Sequence, residues 1–126
     1  MLKEKNIYKN LIELIEFFQN KKIYSFVTTL KKLGKRNNNY LSFPDNGYTV
    51  TFDIKFNNQI ELFYKKLEEK LIEMNAKIYL TKDSLMKRKH FEKSYFELKK
   101  FKKIKNKIDK KNIFQSFQSK RLFISE

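Results

Sequence analysis

The chain predicts an α+β fold in which an antiparallel sheet carries helices on one face and a helical tail follows. Three observations lead there. Apolar and polar residues alternate from Tyr48 to Phe56, the pattern of a half-buried strand. Two stretches, Ile7–Phe18 and Ile60–Met74, space their apolar residues as one face of a helix does. The order reads α-β-β-α-β and then helices, which favours helices segregated to one face of an antiparallel sheet.

In the first helix Ile7, Leu11, Leu14, Ile15 and Phe18 stand at i, i+4, i+7, i+8 and i+11, and Asn20-Lys21-Lys22 closes it. Tyr24 to Leu33 is rich in aromatic and β-branched residues and reads as a strand stopped by Gly34; Lys35 to Asn39 makes a polar loop. In the next strand Tyr48, Val50, Phe52, Ile54 and Phe56 share a core face, with Thr49, Thr51, Asp53 and Lys55 on the polar one. Asn57-Asn58 opens the second helix, whose inner side carries Ile60, Phe63, Tyr64, Leu67, Leu71 and Met74. Ala76 to Thr81 reads as a short third strand. After Lys82-Asp83-Ser84, helical spacing returns in a lysine-rich segment through Phe91, Tyr95, Leu98, Phe101, Ile104 and Ile108. Leu122-Phe123-Ile124 is an apolar end that needs a surface to pack on. The α-β-β-α-β order lacks the first strand of the common β-α-β-β-α-β unit. An unpaired sheet edge and exposed core are therefore expected, as in a piece cut from something longer.

With 126 residues the chain is long enough for one core. A hydrophobic share of 40% and an aromatic share of 16% place it among globular chains. Having no cysteine, it can form no disulfide and use no thiol in catalysis or metal binding; one histidine gives a metal site little support. No apolar run approaches a membrane span and Met1-Leu2-Lys3-Glu4-Lys5 is no signal peptide, so the expected location is cytoplasmic.

A net charge of +15 invites a nucleic-acid partner. Arg36, Arg88 and Arg121 are the only arginines among the 29 basic residues, however, and arginine is the side chain that forks onto phosphates and base edges. Abundant Lys, Asn, Ile, Phe and Tyr with two glycines and one proline is the composition that an A/T-rich genome imposes. A solvated basic surface is the favoured reading. A small basic nucleic-acid-binding module is the alternative, resting on the basic helices between Phe91 and Phe114. His90 lies among Lys87, Arg88 and Lys89 and is expected at the surface.

Four blocks in order carry a resemblance. They are Ser25 to Gly34 with its lysines, Leu41-Ser42-Phe43-Pro44, Gly47-Tyr48 leading to Asp53, and Tyr79-x-x-Lys82-Asp83-Ser84. Phe91, Tyr95, Asp109, Phe114, Ser116, Arg121 and Leu122 follow without gaps. Over roughly Asn6 to Ile124 the chain resembles the C-terminal part of FAD-dependent sugar oxidoreductases of the vanillyl-alcohol-oxidase type. Within that family it is nearest the decaprenylphosphoryl-ribose 2′-epimerase flavoproteins and the sugar-lactone oxidases.

The resemblance implies that residues 1–81 form the C-terminal portion of a substrate-binding cap and 82–126 a turn and tail returning to an FAD-binding domain. It implies oxidation of a sugar carbinol, with hydride passing to flavin N5. Lys82 matches the lysine at flavin and substrate, the catalytic and cofactor-binding candidate. Tyr79 matches a tyrosine against the flavin, and Lys31 a lysine of the substrate channel. Thr49, Thr51 and Asp53 are the polar strand face that would line the cleft. Each has a plainer alternative: a solvated turn lysine, a core tyrosine, one lysine of many, a solvated sheet face.

The implied cofactor is FAD, and the implied partners are the FAD-binding half of the same enzyme and a sugar or polyprenyl-phosphate sugar. The polyprenyl substrate would bring a peripheral membrane contact. The chain departs from the pattern at Leu85, where relatives carry arginine, and at Thr51 and Thr49, which replace a cysteine and an asparagine. With Gly34 and Gly47 its only glycines, it has no glycine-rich turn for a pyrophosphate.

Overall fold

The computed structural model of the chain describes residues 1–124 and has the α+β architecture. The elements are β1 (Leu2–Lys3), α1 (Ile7–Asn20), β2 (Thr28–Leu33), β3 (Gly47–Phe52), α2 (Asn58–Glu73), α3 (Arg88–Ser94), α4 (Leu98–Ile108) and α5 (Phe117–Arg121). Single 3-10 turns lie at Glu4–Asn6 and Leu80–Lys82. The sheet is antiparallel in the order β1-β3-β2.

The first strand is therefore present, though only two residues long, which corrects the expectation that the sheet lacks it. Leu2 pairs with Tyr48 and Lys3 with Gly47. A Cβ at position 47 would overlap the Leu2 carbonyl oxygen, so Gly47 is the residue that lets β1 approach. Leu2 is buried with Ile7 and Ala76, against Leu11, Tyr48, Val50, Leu71 and Met74.

The expected third strand at Ala76–Thr81 does not form. Lys77 N–H donates to the Met1 carbonyl (2.9 Å) and the Met1 amine to the Lys77 carbonyl (2.6 Å), a single reciprocal pair on the outer side of β1. With so short a neighbour no ladder can continue. From Ile78 onward the chain turns instead toward the second apolar cluster and closes the Leu80–Lys82 turn.

The period-two reading holds over Tyr48–Phe52, but the strand ends there and Phe56, expected on the core face, is exposed. Phe52 stacks on Phe18 of α1 (4.4 Å), and with Ile54 packs on Leu14, Phe63 and Leu67. Tyr48 and Val50 pack on the Leu2 cluster. Thr49 pairs with Lys31 and Thr51 with Thr29, so these four share the opposite face. Asp53 falls just past the strand end, where its amide donates to the Val27 carbonyl and its own carbonyl accepts from Phe26.

Both long helices stop in the same way. Lys22 (φ 54°) and Asn75 (φ 51°) adopt the left-handed conformation, and the amides of Ile23 and Ala76 reach back to the Phe18 and Leu71 carbonyls. At the other end of α2, the Asn57 side chain caps the Ile60 amide at 3.0 Å.

A second cluster unites Met86, Phe91, Tyr95, Leu98 and Leu122 with Leu41, Ile78, Leu80 and Ile124. The apolar tail thus finds its surface within this chain. No helix among the described residues is long and apolar enough to cross a membrane.

Candidate functional site

The Lys82-Asp83-Ser84 turn is built around one carboxylate. Asp83 Oδ1 accepts from the amides of Leu85 (3.0 Å) and Met86 (2.7 Å), the local pattern by which aspartate shapes a turn. Its Oδ2 accepts from Arg121 Nη2 at 2.6 Å and from Gln118 Nε2 at 3.4 Å. The side chain is only 2% exposed, and a carboxylate so far removed from water needs this many donors. Lys82, by contrast, is exposed.

Beside the turn lies an open cleft of about 600 Å³ between residues 37–44 and 79–81, floored by Tyr95 and Phe101. Tyr79 forms part of its wall with Phe43, their rings 4.6 Å apart. None of the described residues lining it carries a formal charge, although 34% of the chain is charged. Such a lining suits an uncharged ligand and offers a phosphate no cation, only neutral donors such as Asn37, Asn38 and Asn39.

A buried cation sits against Tyr95 of the floor. The Lys77 ammonium donates to the Ser42 carbonyl and lies 4.3 Å over the Tyr95 ring. Burial, and then the nearby Arg36 charge, hold its pKa below the ordinary lysine value. The Tyr95 hydroxyl donates to the Ile78 carbonyl at 2.7 Å, and burial pushes its pKa up.

The other candidates stand elsewhere. Lys31, Thr49 and Thr51 come together on the polar face of the sheet, Lys31 and Thr51 exposed and Thr49 half-buried. The Asp53 side chain is exposed beyond the end of β3. None of these four lines the cleft, whereas Tyr79 does and Lys82 follows directly on its Thr81 wall.

His90 is not at the surface as expected. It is 1% exposed, with Nε2 2.8 Å from the Ala76 carbonyl and Nδ1 3.8 Å from Glu68 Oε1. Its charged sequence neighbours point elsewhere around α3, while Ser94, one turn on, shares the same carbonyl. That i, i+4 pair was the signal available in the sequence. Glu68 itself is buried and accepts from the Lys87 amide at 2.6 Å. Gln118, too, was missed: nothing in its local sequence marks it as a partner of a turn 35 residues away.

A flavin fits these residues at its ring end only. The Phe43–Tyr79 wall and uncharged lining suit a planar heterocycle. The Gly47 space is filled by β1, and Gly34 faces nothing within 4 Å, so no glycine cradle for a pyrophosphate exists among the described residues. No cluster of potential metal ligands occurs among them either.

No protein-family profile matches the chain. Among curated proteins, it is similar to the decaprenylphosphoryl-beta-D-ribose oxidase of Mycolicibacterium smegmatis, with 28% identity over 99 residues. That stretch is 79% of this chain and 22% of the oxidase, so the chain spans about a fifth of the length of the relative that it matches.

Proposed function

We propose that this chain is the substrate-side, C-terminal part of an FAD-linked oxidoreductase acting on a sugar carbinol, similar to decaprenylphosphoryl-ribose oxidase. The observation that carries the reading is the likeness over 99 residues, together with the Tyr79-to-Ser84 motif on a turn locked through Asp83 beside an uncharged aromatic cleft. When bound, the flavin supplies the acceptor for the hydride that leaves the carbinol carbon. Tyr79 and Phe43 provide an aromatic wall for it. Lys82 provides a compact cation where negative charge develops as the hydride arrives. Lys31, Thr49 and Thr51 offer one cation and two hydroxyls to the sugar or its phosphate from the sheet face outside the cleft, and Asp53 a carboxylate to the sugar hydroxyls, once the FAD-binding half joins that face to the flavin. The pyrophosphate is gripped by an FAD-binding half, and the exposure of Phe114 (76%) and Phe117 (97%) supports a further partner of that kind.

The test is stopped-flow reduction of flavin by a sugar alcohol, with the chain combined with an FAD-binding half. Lys82→Ala should slow reduction by about 100-fold or more, the scale on which one preorganised donor acts. Lys82→Arg should restore little, since a planar fork does not replace a compact ammonium. Unchanged reduction by Lys82→Ala, with salt-sensitive nucleic-acid binding lost on removing the lysines of 99–111, would favour the basic-module reading instead.

A further inference from the structure

Lys82 is held from both sides by one remote element. Gln118 Nε2 donates to the Leu80 carbonyl at 2.6 Å, just before Lys82. Arg121 donates to the Asp83 carboxylate at 2.6 Å, just after it, and through Nη1 to the Met86 carbonyl. Both side chains come from α5, only five residues long. That helix is fixed by a reciprocal cap between Ser116 and Ser119 and by Leu122, which is wholly buried in the second cluster.

The Asp83 bonds to Leu85 and Met86 already suffice to form a local turn. The ion pair brought in from 38 residues away adds fixation, and with Asp83 withdrawn from water the cost of desolvating its carboxylate offsets much of what the part-buried pair adds to stability. We propose that Arg121 and Gln118 are positioning residues: from α5 they clamp the backbone on either side of Lys82, so that its exposed side chain leaves the turn from one fixed position and direction. The inference rests on the reading of Lys82 given under Proposed function. Catalytic steps are sensitive enough to placement for such a clamp to matter, since an error of about 1 Å can cost on the order of 100-fold in rate.

Two measurements test it. In the full chain, amide hydrogen exchange is followed at Lys82, Leu85 and Met86, with the amides of α1 as the reference. Arg121→Gln should speed exchange in the turn by about tenfold or more, as expected for losing a charged hydrogen bond, and leave α1 unchanged. Arg121→Lys, which keeps the charge and loses the fork, should restore part of the protection. Should Arg121→Gln unfold the chain, Gln118→Ala makes the same comparison by removing one neutral donor.

In the oxidase reassembled with an FAD-binding half, Arg121→Gln should lower the limiting flavin-reduction rate with little change in apparent substrate affinity. Combined with Lys82→Ala, it should slow reduction no further than Lys82→Ala alone. Unchanged exchange in the turn overturns the clamp, and additive losses in the double variant overturn the positioning role. Wild-type reduction by Lys82→Ala, with the exchange result as expected, overturns the reading of Lys82 and leaves the clamp in place.

Discussion

His90 is neutral in the fold because burial, its largest influence, holds the imidazole pKa below the ordinary value; the Ala76 hydrogen bond and the Glu68 charge oppose that only in part. The Ala76 carbonyl can only accept, so Nε2 carries the proton and Nδ1 faces Glu68 without a hydrogen bond. The unfolded imidazole takes up its proton at about pH 6.5 and the folded one only at lower pH, so the stability that it contributes is present above that value and is lost as pH falls below it. Denaturation midpoints measured from pH 7.5 to 5.5 should therefore decline, and His90→Gln should flatten the decline. The Met1 amine, pulled down to about 5 by burial and then by Lys77, adds a slope of the same sign in both proteins. The sole histidine was read as a surface residue because sequence neighbours are not spatial neighbours on a short helix. Asp83 was legible as a motif, but its partners Gln118 and Arg121 were not. A contact made across 38 residues leaves no local pattern.

Among the elements, β3 was the most legible, since a one-residue slip would carry Phe52 and Val50 away from the helices. Phe52→Asp should therefore abolish the cooperative melt, because it sets a charge against Phe18, whereas Thr51→Asp on the exposed face should shift the midpoint little. The third strand was illegible for the opposite reason. Ala76–Thr81 has strand composition, but a strand also needs a neighbour, and β1 offers it one residue. Helix ends carry a further expectation. Lys22 holds a left-handed conformation that disfavours a side chain, so Lys22→Gly should stabilise the fold by about 1 kcal/mol in urea melts. Asn75→Gly should gain less, because asparagine tolerates that region.

At the scale of the whole molecule, apolar side chains gather in separate groups, one under the sheet and another formed by α3, α4 and the tail. Hydrophobic periodicity announced α1, α2 and the segment that forms α3 and α4, but not α5, and it could not say that Leu122 closes the second group rather than waiting for an external surface. Leu122 is completely buried, so Leu122→Ala should cost about 2–5 kcal/mol, measured by chemical denaturation. The same variant should loosen the Lys82 turn, because Leu122 directly follows Arg121.

The distance along the chain between Asp83 and Arg121 also sets an order in time. A ribosome adds roughly 5–20 residues each second, so about 2–8 seconds separate the synthesis of these partners, 38 positions apart. Through that interval the aspartate has only Leu85, Met86 and water, while α1, the sheet and α2 have all been made. Lys82 is made well before it is aimed. Any partner that recognises its final orientation must wait for the closing helix, which makes assembly of the site a late event even on a core that forms early.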